Sequence, residues 1–389
     1  MFPRGDKIAV IVKYTSVVTL MLYFLQGVIY PTSFIIAKIS LAIYMAVGIF
    51  CLAEILMSRT RQHLIYAAVA FLVANLAYYG FTDTSIVSSF YNIDPQGPIK
   101  HTTFVFITLL LFFFLSKKDM LDKKLLLTLY SFFFIIGLIN FYSLSPFSPK
   151  HTNAINNSGY IFVNILPFLF LVRRKFISAT LLIASSILVI SSLKRGAMII
   201  LAAFVIYYVC ILLKESKLSF IQKFSIVSFA AIICGAIALQ MHGSNELIQE
   251  RVTQTLSGNT SGRDVMYKQL WDNWTNSDST TKMLFGYGYS YTPMVTYGRY
   301  AHNDWLELLT NMGLLGIGLY LLFFVEAIAS AAKCENNSAE KRIVVSVIIV
   351  MIIKSAFSMG YDDQGTIPLM ILLGYVAGKN ELKIKSDRK

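Results

Sequence analysis

Two polar stretches break an otherwise apolar chain, and both hold residue types suited to gripping an anion and moving a proton. The first is Ser191-Ser192-Leu193-Lys194-Arg195-Gly196-Ala197, a tight turn between two apolar runs. The planar guanidinium of Arg195 matches phosphate oxygens, and Lys194 beside it adds charge. The alternative is that both snorkel to lipid headgroups. The second stretch runs from Phe285-Gly286-Tyr287-Gly288-Tyr289 to Arg299-Tyr300-Ala301-His302-Asn303-Asp304-Trp305-Leu306-Glu307. Its glycines permit tight turns and close backbone approach. Tyrosines 287, 289, 291, 297 and 300 offer flat faces and hydroxyls suited to sugar rings, although tyrosine girdles also serve as interface anchors. His302 falls at the start of an apolar helix, where anions are attracted, and its imidazole can exchange a proton near neutral pH. A lone histidine is also a common structural residue. Arg251, Arg263, Lys268, Lys282 and Arg299 are the other cations of this region; each alone reads equally as a solvated surface charge.

The elements that position these residues are membrane helices. Of 389 residues, 56% are hydrophobic and only 14% charged, with mean hydropathy +0.62; soluble domains carry about 25% charged residues. A helix needs about 20 apolar residues to cross the hydrocarbon core. Such runs lie near 8–29, 33–57, 63–81, 101–116, 125–145, 159–172, 176–193, 197–213, 219–241, 304–328, 343–359 and 365–378. The ends of 101–116, 159–172 and 365–378 are the least defined. The chain is therefore expected to be an all-α integral membrane protein with about twelve transmembrane helices. Spans one to nine lie within 1–241, a large loop over 242–303, spans ten to twelve over 304–378, and a basic tail over 379–389.

The net charge of +13 does not point to nucleic acid, because the basic residues sit in short clusters between apolar runs. With the N-terminus inside, alternate linkers collect Arg4, Lys7, Arg59, Arg61, Lys117, Lys118, Lys123, Lys124, Arg173, Arg174, Lys175, Lys214, Lys217, Lys333, Lys341 and Arg342, and the tail adds more. The opposite short linkers carry Lys100, Lys150, Lys194 and Arg195. That asymmetry places both termini in the cytoplasm and the large loop outside. A loop of this length is usually functional. Leu247, Ile248, Val252 and Leu256 mark one amphipathic helix in it. Met266, Leu270 and Trp274, flanked by Tyr267 and Trp271, mark a second after Ser261. Both suit the outer membrane surface, or simple docking against the bundle.

Of Cys51, Cys210, Cys234 and Cys334, none lies in the large loop, so no disulfide framework is indicated. The first apolar run has no cleavage-site pattern after it and reads as a retained helix. There is no Gly-rich phosphate loop, no metal-ligand spacing and no Asp-x-Asp pair, so no metal site or cofactor is expected. Lys13, Lys38 and Lys354 lie within apolar runs and fit either a transport path or snorkelling.

Taken in order, Arg263 with Trp271, Phe285-Gly286-Tyr287-Gly288, His302-Asn303-Asp304-Trp305-Leu306 and Gly313-Leu314-Leu315-Gly316 resemble the O-antigen ligase/polymerase superfamily. The turn at 194–197 resembles that family's Ser-Arg-x-Ala-like turn, with Lys194 in place of a small residue. The tract Asn153-Ala154-Ile155-Asn156-Asn157-Ser158-Gly159-Tyr160 resembles its Asn-rich approach to a middle span. The specific part covers roughly 190–320; the first half is similar only in topology. The resemblance implies a glycosyltransferase of the bacterial inner membrane, with a GT-C-like architecture and a site facing the periplasm. Its donor would be a glycan on undecaprenyl diphosphate, used without a metal, with membrane lipids, a flippase and a chain-length regulator as partners. It assigns Arg195 and Arg263 to the diphosphate and His302 to base or orienting work. Lys194, Arg251, Arg299, Tyr300, Asn303 and Glu307 are further substrate-binding candidates; Arg299 and Tyr300 come from their position alone, and Glu307 suits capping or orienting. The Asn-rich tract and divergent first half favour a polymerase that joins lipid-linked repeat units. The alternatives are a ligase to lipid A-core or a related oligosaccharyltransferase and, in a different class, a polysaccharide or lipid transporter. A transporter would be expected to show internal repeats, and none is evident.

Overall fold

The computed structural model describes residues 4–26, 34–91, 94–143, 156–215 and 262–386. Helices α1 (Arg4–Phe24), α2 (Ile35–Met57), α3 (His63–Phe81), α4 (Ser85–Tyr91), α5 (Gln96–Lys117) and α6 (Lys123–Ser143) come first. Then follow α7 (Gly159–Ile165), a 3-10 segment (Leu166–Leu171), α8 (Lys175–Ser191) and α9 (Arg195–Glu215). After Gly262 come α10 (Arg263–Thr275), α11 (Thr280–Phe285), α12 (Thr292–Val295), α13 (Asp304–Ala332), α14 (Ala339–Phe357), a 3-10 turn (Gln364–Thr366) and α15 (Ile367–Ser386). The described residues form an all-α membrane fold. Seven of these helices are long and apolar enough to span a membrane: α1, α2, α3, α5, α6, α9 and α13.

α5 runs through the middle of the bundle, with 104–117 buried throughout. Its chief neighbour is α15, and the sequence shows why they approach so closely. Gly374 and Gly378 form a small-xxx-small pair that lets backbones meet. A Cβ on Gly374 would stand 2.6 Å from the Leu109 carbonyl oxygen, and one on Gly378 would stand 2.4 Å from the Ser116 Cβ. Ser116 Oγ donates to the Tyr375 carbonyl at 2.6 Å, sealing the crossing.

Several helix bounds differ from the hydropathy reading. α5 starts at Gln96, five residues before the expected span. Residues 159–171 turn from α-helix to 3-10, with Pro167 at the start of the second part, where its missing N–H costs no helical bond. At about 1.5 Å and 2.0 Å rise per residue this segment is only about 22 Å long, short of a full crossing. α15 continues to Ser386, so most of the expected tail is helix. It continues because its polar residues find partners: Asn380 Nδ2 donates to the Ser330 carbonyl at 3.1 Å and Glu381 accepts from the Arg61 N–H at 3.2 Å. The span at 219–241 and the amphipathic helix at Leu247, Ile248, Val252 and Leu256 lie outside the described residues. The second amphipathic helix is α10, and it docks: Met266 and Leu270 are buried with Ala301 against Tyr267, Val295 and Leu306.

Candidate functional site

One end of the bundle holds the joins between α3 and α5, α8 and α9, and α14 and α15, together with α10–α12 and the start of α13. Its architecture begins with two glycines. Gly313 adopts φ 61°, ψ −152° inside α13 and kinks it. A Cβ on Gly286 would lie 2.4 Å from the Asn311 carbonyl carbon, and one on Gly313 would lie 2.6 Å from the Gly286 nitrogen. The kink exposes helix carbonyls, which the incoming strand of loop satisfies: the Tyr287 N–H donates to the Thr310 oxygen at 2.9 Å and that of Gly288 to the Asn311 oxygen at 3.0 Å. The Asn311 side chain accepts from the Tyr291 and Thr292 N–H groups at 2.9 and 3.1 Å. The two glycine motifs of the sequence are thus halves of one contact.

The same helix start holds His302. Asn303 caps α13, its Oδ1 accepting from the Leu306 N–H at 3.1 Å while its Nδ2 donates to the Ala356 carbonyl at 3.0 Å. Glu307 is buried; it accepts from the Ala301 N–H at 2.9 Å and from Asn311 Nδ2 at 3.2 Å. Between these anchors His302 takes φ 51°, a left-handed conformation that costs a non-glycine residue about 1–2 kcal/mol. Asp304, also buried, accepts from the Tyr320 hydroxyl at 2.9 Å and from the Gly360 N–H at 2.9 Å, tying α13 to the 358–363 turn.

The Lys194 turn is built in the same way. Leu193 has φ 56°, and the Asn156 N–H donates to the Ser192 carbonyl at 2.9 Å. A Cβ on Gly159 would meet Ser192 Oγ at 2.3 Å. The Asn-rich approach and the basic turn are therefore packed together. Tyr160 follows, its ring flanked by Lys194 Nζ at 5.6 Å and Lys354 Nζ at 5.9 Å from the centroid. Lys354 is fully buried, bonded to Asp363 Oδ2 at 2.6 Å and Thr366 Oγ1 at 2.7 Å.

A cavity of about 1020 Å³ joins these parts; Lys194, Arg263, Tyr300 and His302 all line it, opposite Asn157, Tyr160 and His101. Its other wall is apolar, made by Phe24, Phe133, Ile136 and Ile161. Arg263 reaches across from α10, donating to the Phe357 carbonyl at 2.9 Å. The His302 ring is open to the cavity yet closely surrounded by protein. Desolvation, then the Arg263 and Lys194 charges, hold it below the ordinary histidine pKa, so it is neutral near pH 7. Burial pushes Asp362 well above the carboxylate range, helped by the nearby acidic Asp304, Glu307 and Asp363. Burial acts on Asp363 too, but there the Lys354 ammonium and its hydrogen bonds win and hold it low. Burial drives the Tyr300 hydroxyl up to about 12.

Of the residues singled out in the sequence, Lys194, Arg263, Tyr300 and His302 come together. Arg195 opens α9 half-buried beside them and does not line the cavity, so the turn presents its lysine rather than its arginine. Asn303 and Glu307 fix the backbone around His302 instead of lining the cavity. Arg299 is exposed, its carbonyl accepting from Thr296 Oγ1. Arg251 lies outside the described residues. Sequence reading missed His101, whose Nε2 lies 3.2 Å from Gln364 Nε2, and Asp362, because one reaches the site from the first turns of α5 and the other from the α14–α15 join, both far along the chain from the motifs. Among the described residues no cluster of His, Cys, Asp or Glu could hold a metal ion.

Fold and site together define a multi-pass membrane protein with a cationic, histidine-bearing cavity at one end of its bundle. Residues 180–321 match the O-antigen ligase family model. No curated protein matches the chain.

Proposed function

We propose that this protein transfers a glycan from a polyprenyl diphosphate carrier to an acceptor hydroxyl, on the periplasmic face of the inner membrane, and that it joins lipid-linked repeat units into a surface polysaccharide. The observation that carries this reading is the meeting of Lys194, Arg263 and His302 at the head of an apolar wall. A lipid diphosphate needs such a place: hydrocarbon below, fixed cations at the headgroup, and a base at the sugar. In the transfer, the acceptor oxygen forms a bond to the anomeric carbon as the bond from that carbon to the diphosphate oxygen breaks. The electron pair leaves with the diphosphate, where Arg263 and Lys194 offset the growing charge. Neutral His302 takes the acceptor proton. The two cations fill the charge-neutralising role, and turnover in the presence of chelator is the expected outcome.

The description of the matching family model favours a second reading, in which the acceptor is lipid A-core. Deleting the gene and separating the surface polysaccharide on a gel tests both. A single-repeat product means the polymerase reading holds; full-length chains left on the carrier mean ligase; an unchanged pattern contradicts both.

A further inference from the structure

The tyrosines between 287 and 300 do not share one site. Tyr300 lines the first cavity, and Tyr297 is 77% exposed. Tyr287, Tyr289 and Tyr291 line a separate cavity of about 570 Å³, completed by the end of α3 and the residues just after it. It has no lining residue in common with the first. A glycine makes the junction with α3: Gly288 has φ 110°, and a Cβ there would stand 2.9 Å from Thr82 Cγ2. The Tyr289 N–H then donates to Thr82 Oγ1 at 2.9 Å.

One wall of this cavity is an aromatic stack that is fixed before any ligand arrives. The Tyr287 and Tyr291 rings lie 5.0 Å apart with planes 14° apart. The Tyr287 hydroxyl donates to the Asn273 carbonyl of α10 at 2.8 Å, and Lys282 Nζ lies 5.2 Å from the ring centroid. From the α3 side come Phe81, 93% exposed, and Asp83. Asp83 Oδ1 accepts from the N–H and the hydroxyl of Ser85 at 3.0 and 2.6 Å. That uses about two of the roughly four lone-pair sites of a carboxylate. Among the described residues, no lysine, arginine or histidine lines the cavity.

We infer that this cavity is a subsite for glycan rings that do not react: a sugar lies against the Tyr287–Tyr291 stack with its hydroxyls on Asp83. This rests on the function proposed above and adds to it a grip on the growing chain away from the diphosphate. The lining selects a neutral polyhydroxyl ligand. Ring C–H groups carry partial positive charge and suit the negative face of an aromatic ring, and a carboxylate accepts from hydroxyls. A phosphate would find no cation here and would meet the Asp83 charge. An acyl chain would strip water from that charge without replacing it. Because the stack is already fixed, little rotamer freedom is lost on binding.

The subsite is also held rigidly to the reacting centre. The Tyr291 N–H donates to Asn311 Oδ1 at 2.9 Å, Asn311 Nδ2 to Glu307 Oε1 at 3.2 Å, and the Ala301 N–H, next to His302, to Glu307 Oε2 at 2.9 Å. The loop meets α13 near Asn311, about 10 Å along that helix from Asp304 at about 1.5 Å per residue. One glycan therefore reaches both sites.

The probe is the repeat-unit oligosaccharide of the producing strain, freed from its lipid diphosphate by mild acid. Saturation-transfer NMR on the full chain in detergent reads its binding. The wild type is expected to bind it. Tyr291→Ala should weaken binding about tenfold, the worth of one aromatic contact, whereas Tyr291→Phe keeps the ring and should bind nearly as the wild type does. Asp83→Asn preserves a cap for α4 but removes the charge, and should weaken binding severalfold. With lipid-linked repeat units as substrate, Tyr291→Ala should make shorter chains than the wild type. No binding by the wild type, or equal binding by Tyr291→Ala and Asp83→Asn, overturns the subsite and leaves these aromatics as interface anchors. A wild type that binds the oligosaccharide through Tyr291 but turns over no lipid-linked glycan instead contradicts the transfer reaction on which the subsite rests.

Discussion

The two ends of the bundle use charge in opposite ways. At the end away from the cavity, cations meet carboxylates: Lys175 and Arg342 on Glu215, Lys379 on Asp119 at 2.8 Å, and Lys383 on Glu335 at 2.5 Å. At the cavity end, Arg263 bonds a backbone carbonyl and Lys194 faces an aromatic ring, while Asp363, which lines the cavity, is paired with the buried Lys354. Exposed ion pairs contribute little to stability, about 0–1 kcal/mol each. The difference teaches that the far end uses its cations to tie helices together, whereas the cavity end turns Lys194 and Arg263 toward the space they line.

Substitutions can break that contrast, and among the charged residues the largest effect is expected at Arg263. Arg263→Ala should lower glycan transfer by roughly a hundredfold or more, as for loss of a transition-state charge partner. Arg263→Lys should rescue poorly, because a point charge does not reproduce the guanidinium fork. Full rescue by lysine would reduce the site to general electrostatics.

Next comes the ion pair of Lys354 and Asp363 at the cavity wall. Removing one partner of such a pair costs about 3–5 kcal/mol, and Asp363 is 35% exposed, so Lys354→Ala is expected near or below the lower figure. Thermal unfolding in detergent should fall by several degrees. An unchanged midpoint would mean that the pair does not hold α14 to the Asp363 turn.

A smaller effect concerns protons. His302 works as a base only when neutral, that is, above its pKa. Since burial, Arg263 and Lys194 depress that pKa below 6.5, kcat/KM should fall on acidification with a midpoint below 6.5. Lys194→Gln removes one of the charges, so its midpoint should lie higher than in the wild type. A midpoint that stays put, or moves down, would show that Lys194 does not act on His302.

The smallest effect is expected at the other end. Lys379→Ala should change stability by no more than about 1 kcal/mol and leave transfer untouched; a large loss of activity there would erase the contrast between the ends.

How much of this was legible in the sequence depends on distance along the chain. Local spacing revealed α10, the glycine approach and the helix start after His302, because each is a short-range pattern; that Asn303 caps that helix was not read from it. Gly286 could be read as a site of close approach, but not that the kink at Gly313 would receive it. Lys354 stood out as a charge in an apolar run; its partner, Asp363, lies across a turn that hydropathy treats as a mere linker. Lys38 read as a charge within an apolar run and Lys100 as a cation of an outer linker; only the packing of α2 against α5 brings them to one cavity wall. Which of two adjacent cations lines the cavity was a matter of phase that spacing does not give: after the left-handed Leu193 it is Lys194 that lines it, with Arg195 beside it at the start of α9.

The central claim is that the cavity moves a glycan off a lipid diphosphate with His302 as base. Its most direct test is turnover by the purified protein of lipid-linked glycan, with carrier binding measured in parallel. His302→Ala is expected to lower turnover roughly a hundred- to ten-thousandfold while carrier binding survives, and His302→Gln to behave like Ala because an amide takes no proton. Near-normal turnover in the Ala variant would contradict the account.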